Sequence, residues 1–397
     1  MRRDGGRRLV SDLGLVGIAT FAMDAALYAY SAIFTNFFVN DLHFNARDLG
    51  LVESLREVPG FLTVVMAALT VRFHESRLAA FSLLAMGIGL AAISGAHSFL
   101  FLVAAGMVWS IGFHLFSPLS NGLVLAATES GQEGRALGWI GGVGAAGTLA
   151  GMFMVFLLVG PLGLRYTFIP AGICALIGGV ALLFTRDRKF VPRTRIVFRK
   201  RYLIYYALSL LDGSRRQIFM TFAVFLLIKQ YNLDVRQVTG LLIVNSVVTT
   251  VLTPFIGRMI DRYGERRLLA LNYALLIGLF ASYALVHNLP ALCVLYCIDN
   301  AFFAFSLGIN SYLGRIAPPE DLTPSLVMGS TANHVAAVGV PVMGGLLWAS
   351  FGYQVTFLVG AATCLLSVLA ALAIRVDAVP ARSNLMAATR AEGVSGD

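Results

Sequence analysis

The chain has 397 residues, 58% of them hydrophobic and 13% charged, with a mean hydropathy of +0.78. A soluble globular domain carries about 25% charged residues, so this composition argues against a soluble enzyme or adaptor and for a chain that lives in a bilayer. The net charge of +9 would suit a nucleic-acid binder, but the placement of the basic residues gives it another meaning.

The first ten residues, MRRDGGRRLV, resemble the basic start of a secretory signal. The apolar run behind them is too long, contains Asp24, and lacks a small-residue cleavage site, so it is expected to stay as the first membrane helix. A bilayer core of roughly 30 Å takes about 20 helical residues. Apolar stretches of that order lie at 9–37, 47–71, 77–96, 99–126, 136–160, 166–185, 203–229, 237–259, 268–286, 289–314, 323–350 and 353–374. The expected fold is therefore an all-α polytopic membrane protein of twelve transmembrane helices. The basic connection RDRKFVPRTRIVFRKR divides them into two sets of six. The expected organisation is a six-helix bundle at 1–185, a basic linker at 186–202, a second bundle at 203–375, and a disordered tail at 376–397.

Of the 30 lysines and arginines, 23 fall on the side that holds both termini. Arg47, Arg165, Lys229 and Arg236 fall on the other side, and Arg56, Arg215 and Arg216 lie within spans. The positive-inside rule then places both termini in the cytoplasm, with the chain in a bacterial inner membrane. Basic charge read as a topology signal requires no nucleic-acid partner.

The second half repeats the first at a shift of about 190 residues. RFHESRL at 72–78 falls on RYGERRL at 262–268, Gly50 on Gly240, and His97 on His287. Near the start Asp24 meets Asp212, Phe34 meets Phe222, and Phe37 meets Phe225; near the end GLRYTF at 163–168 meets GYQVTF at 352–357. Two six-helix halves of equal topology form a transporter signature, with a binding site between them near the midplane.

GRMIDRYGERR at 257–267, between spans 8 and 9, resembles the signature loop of the major facilitator superfamily through Gly257, Asp261, Arg262, Gly264, Arg266 and Arg267. PVMGGLLWASFGYQVTF at 341–357 is similar to that family's passage from helix 11 to helix 12. The resemblance implies the twelve-helix fold in two pseudo-symmetric bundles, a cavity lined by spans 1, 4, 7 and 10, and a conformational latch at those six loop residues. The first-half copy departs from the pattern, with Ala67, Val71 and His74 where glycine, aspartate and glycine are expected.

Charged residues at membrane depth cost several kcal/mol by insertion scales, and they face a cavity or one another. Span 1 carries Asp24; span 2 carries Glu53, Arg56 and Glu57; span 4 carries His114 and Asn121. Span 7 carries Asp212, Arg215, Arg216 and Gln217, span 10 carries Asp299 and Asn300, and span 11 carries Asn333 and His334. Spans 3, 6, 9 and 12 carry no ionisable residue in their interiors. Asp212 lies three and four residues before the two arginines, within pairing distance on a helix. One aspartate against two arginines leaves a positive charge. A guanidinium fork suits carboxylate or phosphate, so the expected anion-binding residues are Arg216, helped by Arg215, and Arg56. A self-satisfied charge cluster is the alternative. His114, Asn121, Asn300, Asn333 and His334 complete the expected polar lining. Asp24 and Asp299 have no basic neighbour on their own helix and are the expected proton carriers, followed by Glu57 and Asp212.

Other signals are weaker. Gly141, Gly142, Gly144, Gly147 and Gly151 in span 5 permit either close packing or rocking of one half on the other. Within 136–160 span 5 holds no complete glycine–proline pair of the kind the resemblance associates with drug–proton antiporters; Gly160 and Pro161 straddle its expected end. Pro59, Pro118, Pro254 and Pro341 are expected to kink their helices. Cys174, Cys293, Cys297 and Cys364 lie in apolar stretches and are expected to pack without disulfides. No GxxxxGK[ST], HExxH or GxSxG stretch is present.

The expected function is secondary active transport of a small polar solute, anionic in preference, coupled to protons by alternating access. No enzyme activity, cofactor or resident metal is expected, and a single chain is expected to act alone. One alternative is a multidrug–proton antiporter, suggested by Phe113, Phe116, Phe302, Phe303 and Phe305 near the cavity. A second is a divalent-metal transporter using His114 and His334 with Asp24 or Asp299.

Overall fold

In hydrocarbon every backbone N–H and C=O must be satisfied within the chain, and a run of apolar residues does this as a helix. The computed structural model describes residues 2–63, 65–66, 73–128, 131–186 and 198–375, with backbone alone at 2–11 and at Pro319. Most of the linker, the 376–397 tail, and Ala67 and Val71 of the first-half loop lie outside the described residues.

The first half contains α1 (Arg2–Asn36), α2 (Ala46–Phe61), α3 (Glu75–Ile93), α4 (Phe99–Ala126), α5 (Glu133–Tyr166) and α6 (Phe168–Leu183). The second contains α7 (Leu203–Ile218), α8 (Val224–Tyr231), α9 (Val235–Tyr263), α10 (Glu265–Leu285), α11 (Leu289–Phe302), α12 (Leu307–Ile316), α13 (Pro319–Phe351) and α14 (Tyr353–Leu372). A π-helical turn, Phe219–Ala223, joins α7 to α8, and a 3-10 turn, Phe303–Ser306, joins α11 to α12. Each joined pair is one continuous rod, so the described residues make twelve rods. Nine spans are long and apolar enough to cross a membrane, and α6 is apolar but shorter. The remaining rods, α2 and α7–α8, carry the charged residues of spans 2 and 7.

The repeat is visible in the backbone. Asn45 and Asp234 each close a capping box at the start of the second rod of their half, with Asp48 and Gln237 as the reciprocal partners. Ser98 and Asn288 cap the fourth rod of each half. His43 and Asn232 share a left-handed φ, 55° and 56°. Gly163 (φ 75°, ψ 171°) and Gly352 (φ 88°, ψ 166°) begin the sixth rod's turn in the same conformation. The signature loop breaks this pattern. Gly264 has φ 80°, a value that favours glycine, whereas its counterpart His74 is extended at φ −71°. The sequence departure at His74 therefore corresponds to a different turn.

Within the first half α1 packs on α5 and α6, and α3 packs on α4 and α6; within the second α7 packs on α13 and α14, and α10 packs on α14. The halves meet mainly along α2–α13 and α5–α9, at the end opposite the N-terminus. There the backbones touch. A side chain at Gly50 would strike the Pro341 carbonyl, and one at Gly345 would lie 2.5 Å from the Ala46 carbonyl. The Val342 N–H donates to Ser54 Oγ at 3.1 Å across the same seam. On the other pair Arg236 lies over the Phe156 ring, 5.7 Å away, and fills the space beside Gly160. The span 5 glycines serve a different purpose. Gly147 and Gly151 press on the α1 backbone at Phe21 and Ala25, and Gly144 on the Asp24 carboxylate, so they seal one half internally. Gly141 and Gly142 have open space around them, and the rod runs on to Tyr166, so it does contain a glycine–proline pair, Gly160–Pro161.

Gly50→Val places a branched side chain on backbone that cannot yield, and overpacking of this kind costs about 1–3 kcal/mol. The closed seam is expected to lose roughly tenfold in population for each ~1.4 kcal/mol. Nitroxide labels at His43→Cys and Phe351→Cys, with the native cysteines replaced by alanine, should report a longer distance. An unchanged distance distribution would show that the seam does not depend on this glycine.

Candidate functional site

The charges of spans 2 and 7 form two triads, each wholly inside one half. On α2 the Arg56 guanidinium bonds Glu53 (Nε 3.0 Å, Nη2 2.5 Å) and Glu57 Oε1 at 2.8 Å. Glu57 thus pairs with Arg56 as well as Glu53 does, although only Glu53 has favourable spacing on the helix. Arg56 also lies over the Trp109 ring, 5.2 Å from its centroid. The guanidinium is occupied by these two acids.

On α7 Arg215 is fully buried, with 0% exposure. Its Nη2 donates to Asp212 Oδ1 at 3.1 Å and its Nη1 to Asp299 Oδ1 at 3.2 Å. Tyr273 donates to the same Asp212 oxygen at 3.3 Å, and Phe303 covers the guanidinium at 4.7 Å. Two acids therefore share one arginine, and Arg215 has no free face to present to a ligand. Asp299, which lacks a cation on its own helix, finds one across the half. Its Oδ2 is buried without a hydrogen-bond partner. Both rods leave regular α-helix directly beside these charges, through the π turn after Ile218 and the 3-10 turn after Phe302. Such irregular turns often mark functional positions in helices.

Arg216 points elsewhere. It is exposed, lies over the Phe303 ring at 5.2 Å, and makes no ion pair among the described residues. Tyr28 of α1 lies within electrostatic reach of both Arg216 and Asp24. Asp24 is half-buried against Gly144 and likewise makes no ion pair or hydrogen bond among the described residues. Among the described residues Arg216 and Asp24 are thus a guanidinium and a carboxyl group without ion-pair partners, and Tyr28 lies within reach of both. Asn333 packs against Gly213, close to the Asp212–Arg216 turn, and Asn300 accepts from Thr249 Oγ1 at 3.1 Å. Asn121 is exposed toward the far end of α4. His114 and His334 meet each other and Glu57, not Asp24 or Asp299.

In the signature loop Asp261, Arg262, Arg266 and Arg267 are exposed, and none of them makes an ion pair among the described residues. The acid engaged in this conformation is Glu265, buried on Arg315 Nε and Ser311 Oγ, both at 2.7 Å. Sequence reading passed over it because a glutamate beside three arginines reads as a solvated pair. Its signal was Glu75 at the matching repeat position. A second contact missed from sequence is Asp321, which takes Arg199 at 3.3 Å, Arg201, and the Tyr202 hydroxyl at 3.1 Å. It ties the end of the linker to the start of α13. The free cysteines are consistent with simple packing.

Among the described residues, twelve rods in two repeated halves with charges at membrane depth in both make a polytopic membrane protein. The chain belongs to the Major Facilitator Superfamily, whose family model matches residues 16–201 and 205–392. Among solved structures it is similar to the nucleoside transporter NupG (TM-score 0.76, 14% identity, 91% of this chain and 98% of that one). It is also similar to a bacterial homologue of the human lysosomal transporter Spinster in an inward-facing, occupied conformation (TM-score 0.72, 12% identity, 91% and 95%). Among characterised sequences it is similar to a multidrug resistance efflux pump PmrA homologue of Lactococcus lactis, 20% identical over 277 residues, or 63% of this chain and 68% of the relative. It matches PmrA of Streptococcus pneumoniae at 22% over 265 residues, 61% and 64%. The chain is thus a multi-pass membrane transporter of small-molecule substrates and not an enzyme.

Proposed function

We propose that the transporter carries a small anionic solute, held by Arg216 in the space between the halves and coupled to protons through Asp24. The observation that carries this reading is the state of Arg216: an exposed guanidinium at membrane depth with no acid partner among the described residues. A charge kept there at a cost of several kcal/mol is matched by a substrate of opposite sign. Asp24, with no cation of its own, takes the proton, and Asp299 is the second candidate. The basic split supports cytoplasmic termini in a bacterial inner membrane. With that orientation the α2–α13 and α5–α9 seams close the outer end, and the structure is inward-facing. Two repeated halves within one chain support a monomer as the working unit. Loop residues Gly257, Asp261, Arg262, Gly264, Arg266 and Arg267 act as the latch, with Glu265–Arg315 as its engaged pair.

The second reading is multidrug efflux, favoured by the two pump relatives and by Phe303 beneath both arginines. Proteoliposomes with and without a pH gradient, offered labelled organic anions, nucleosides and a cationic dye, separate the two. For the anion carried, Arg216→Gln and Arg216→Lys should stay folded and weaken binding by about tenfold to a hundredfold, the worth of a charge-assisted hydrogen bond. Transport of the dye alone, or unchanged affinity in both variants, removes the anion reading.

A further inference from the structure

We infer that Glu57, His114 and His334 form a binding site for one divalent transition-metal ion, which clasps the two halves together. Glu57 Oε2 lies 3.7 Å from His114 Nε2 and 3.4 Å from His334 Nδ1, and the three ligand atoms fall within 4.8 Å of one another. Metal–ligand bonds of about 2.0–2.1 Å in a tetrahedron separate ligands by about 3.3–3.5 Å. Small side-chain shifts therefore close the three atoms on a single ion.

The groups around the cluster orient it for a cation. His114 Nδ1 lies 2.9 Å from the Ser110 carbonyl and 3.1 Å from the Ser110 hydroxyl, and with the hydrogen on Nδ1 its Nε2 presents a lone pair toward Glu57. Arg56 holds the other oxygen of Glu57, leaving Oε2 aimed at the imidazoles. Ligating carboxylates and histidines are held in this way by outer partners. Arg56 itself is balanced by Glu53, so it does not repel an incoming ion as a bare charge would. His334 Nδ1 is buried and has no hydrogen-bond partner. Any side chain at Gly60 would lie 2.5 Å from His114 Nε2 and 2.6 Å from His334 Nδ1, so the glycine keeps the pocket open.

Two imidazoles and one carboxylate suit zinc, cobalt or nickel better than magnesium or calcium. Three protein ligands leave a fourth position for water, on the partly exposed side of His334. The histidines belong to opposite halves, α4 and α13, so an ion here joins moving parts. Its role is then to hold this conformation, and the ion is not cargo. The inference does not rest on the anion reading, because neither Arg216 nor Asp24 takes part.

The test is a zinc titration of the full chain in detergent, read by competition with a chromophoric chelator. It is repeated with all four cysteines replaced by alanine. One zinc per chain is expected in both proteins, undisturbed by millimolar magnesium. His114→Ala and His334→Ala should each weaken it at least about tenfold. Zinc should also shorten the distance between labels at His43→Cys and Phe351→Cys, and His334→Ala should abolish that response. Absence of binding in the unmodified chain overturns the proposal. So does zinc that is lost with the cysteines, or zinc that both histidine variants keep unchanged. Should His114→Ala fail to fold, the exposed-side variant His334→Gln and Glu57→Gln decide the same question.

Discussion

Asp24→Asn is expected to abolish accumulation driven by a pH gradient while leaving substrate exchange intact. Asp24 is the repeat counterpart of Asp212, but where Asp212 is followed by Arg215 and Arg216, Asp24 is followed by Leu27 and Tyr28. Its carboxylate lies against Gly144 with no ion pair among the described residues. An acid at that depth without a cation is neutralised by a proton, and in the proposed function exchange of that proton between the two sides couples transport to the gradient. One proton moved per substrate across one pH unit is worth about 1.4 kcal/mol, or roughly tenfold accumulation. The asparagine variant should bring that ratio to about one in proteoliposomes. Counterflow of labelled substrate, which needs no net proton movement, should continue. Full pH-driven accumulation by the variant would move the coupling role to Asp299.

Arg215→Met should damage the fold and not merely the transport cycle. Removing one partner of a fully buried ion pair costs about 3–5 kcal/mol, because the remaining charges are stranded. Here Asp212 and Asp299 would both lose the one cation they share among the described residues, since each lies on the same guanidinium. Thermal unfolding in detergent should show a large drop for Arg215→Met and little change for Arg216→Met, whose side chain is exposed. Combining Arg215→Met with Asp212→Asn and Asp299→Asn removes every charge of the triad and should recover much of the loss. An Arg215→Met protein that melts like the parent would mean that the triad does not hold the second half together.

The architecture could be read from the sequence because membrane helices announce themselves by apolar length, and the repeat fixed their order. The charged census also located the members of the two ion-paired triads, since charge at membrane depth stands out against an apolar background. What the sequence could not supply was the partner of each charge. Asp212 has both arginines within reach on its helix, and only packing decides that Arg215 turns inward to Asp299 while Arg216 turns away. Arg56 could be matched with Glu53 by spacing, yet Glu57 reaches the same guanidinium by bending back one residue. The histidines were visible as isolated residues 220 positions apart. Their meeting at Glu57 depends on how α4, α2 and α13 cross, which no local pattern encodes.

The arrangement of the two triads has a kinetic consequence. Arg56 with its two glutamates belongs entirely to α2, and Arg215 with its two aspartates belongs entirely to α7 and α11. When one half swings against the other, neither guanidinium parts from its carboxylates, and the charged contact described above that does cross between the halves is Glu57 with His334. The α2–α13 seam is otherwise glycine laid on backbone, with the Val342–Ser54 hydrogen bond, and the α5–α9 seam holds Arg236 against Phe156. The electrostatic work of the swing is thereby concentrated in the histidine clasp, and the rest of its speed is left to short-range packing.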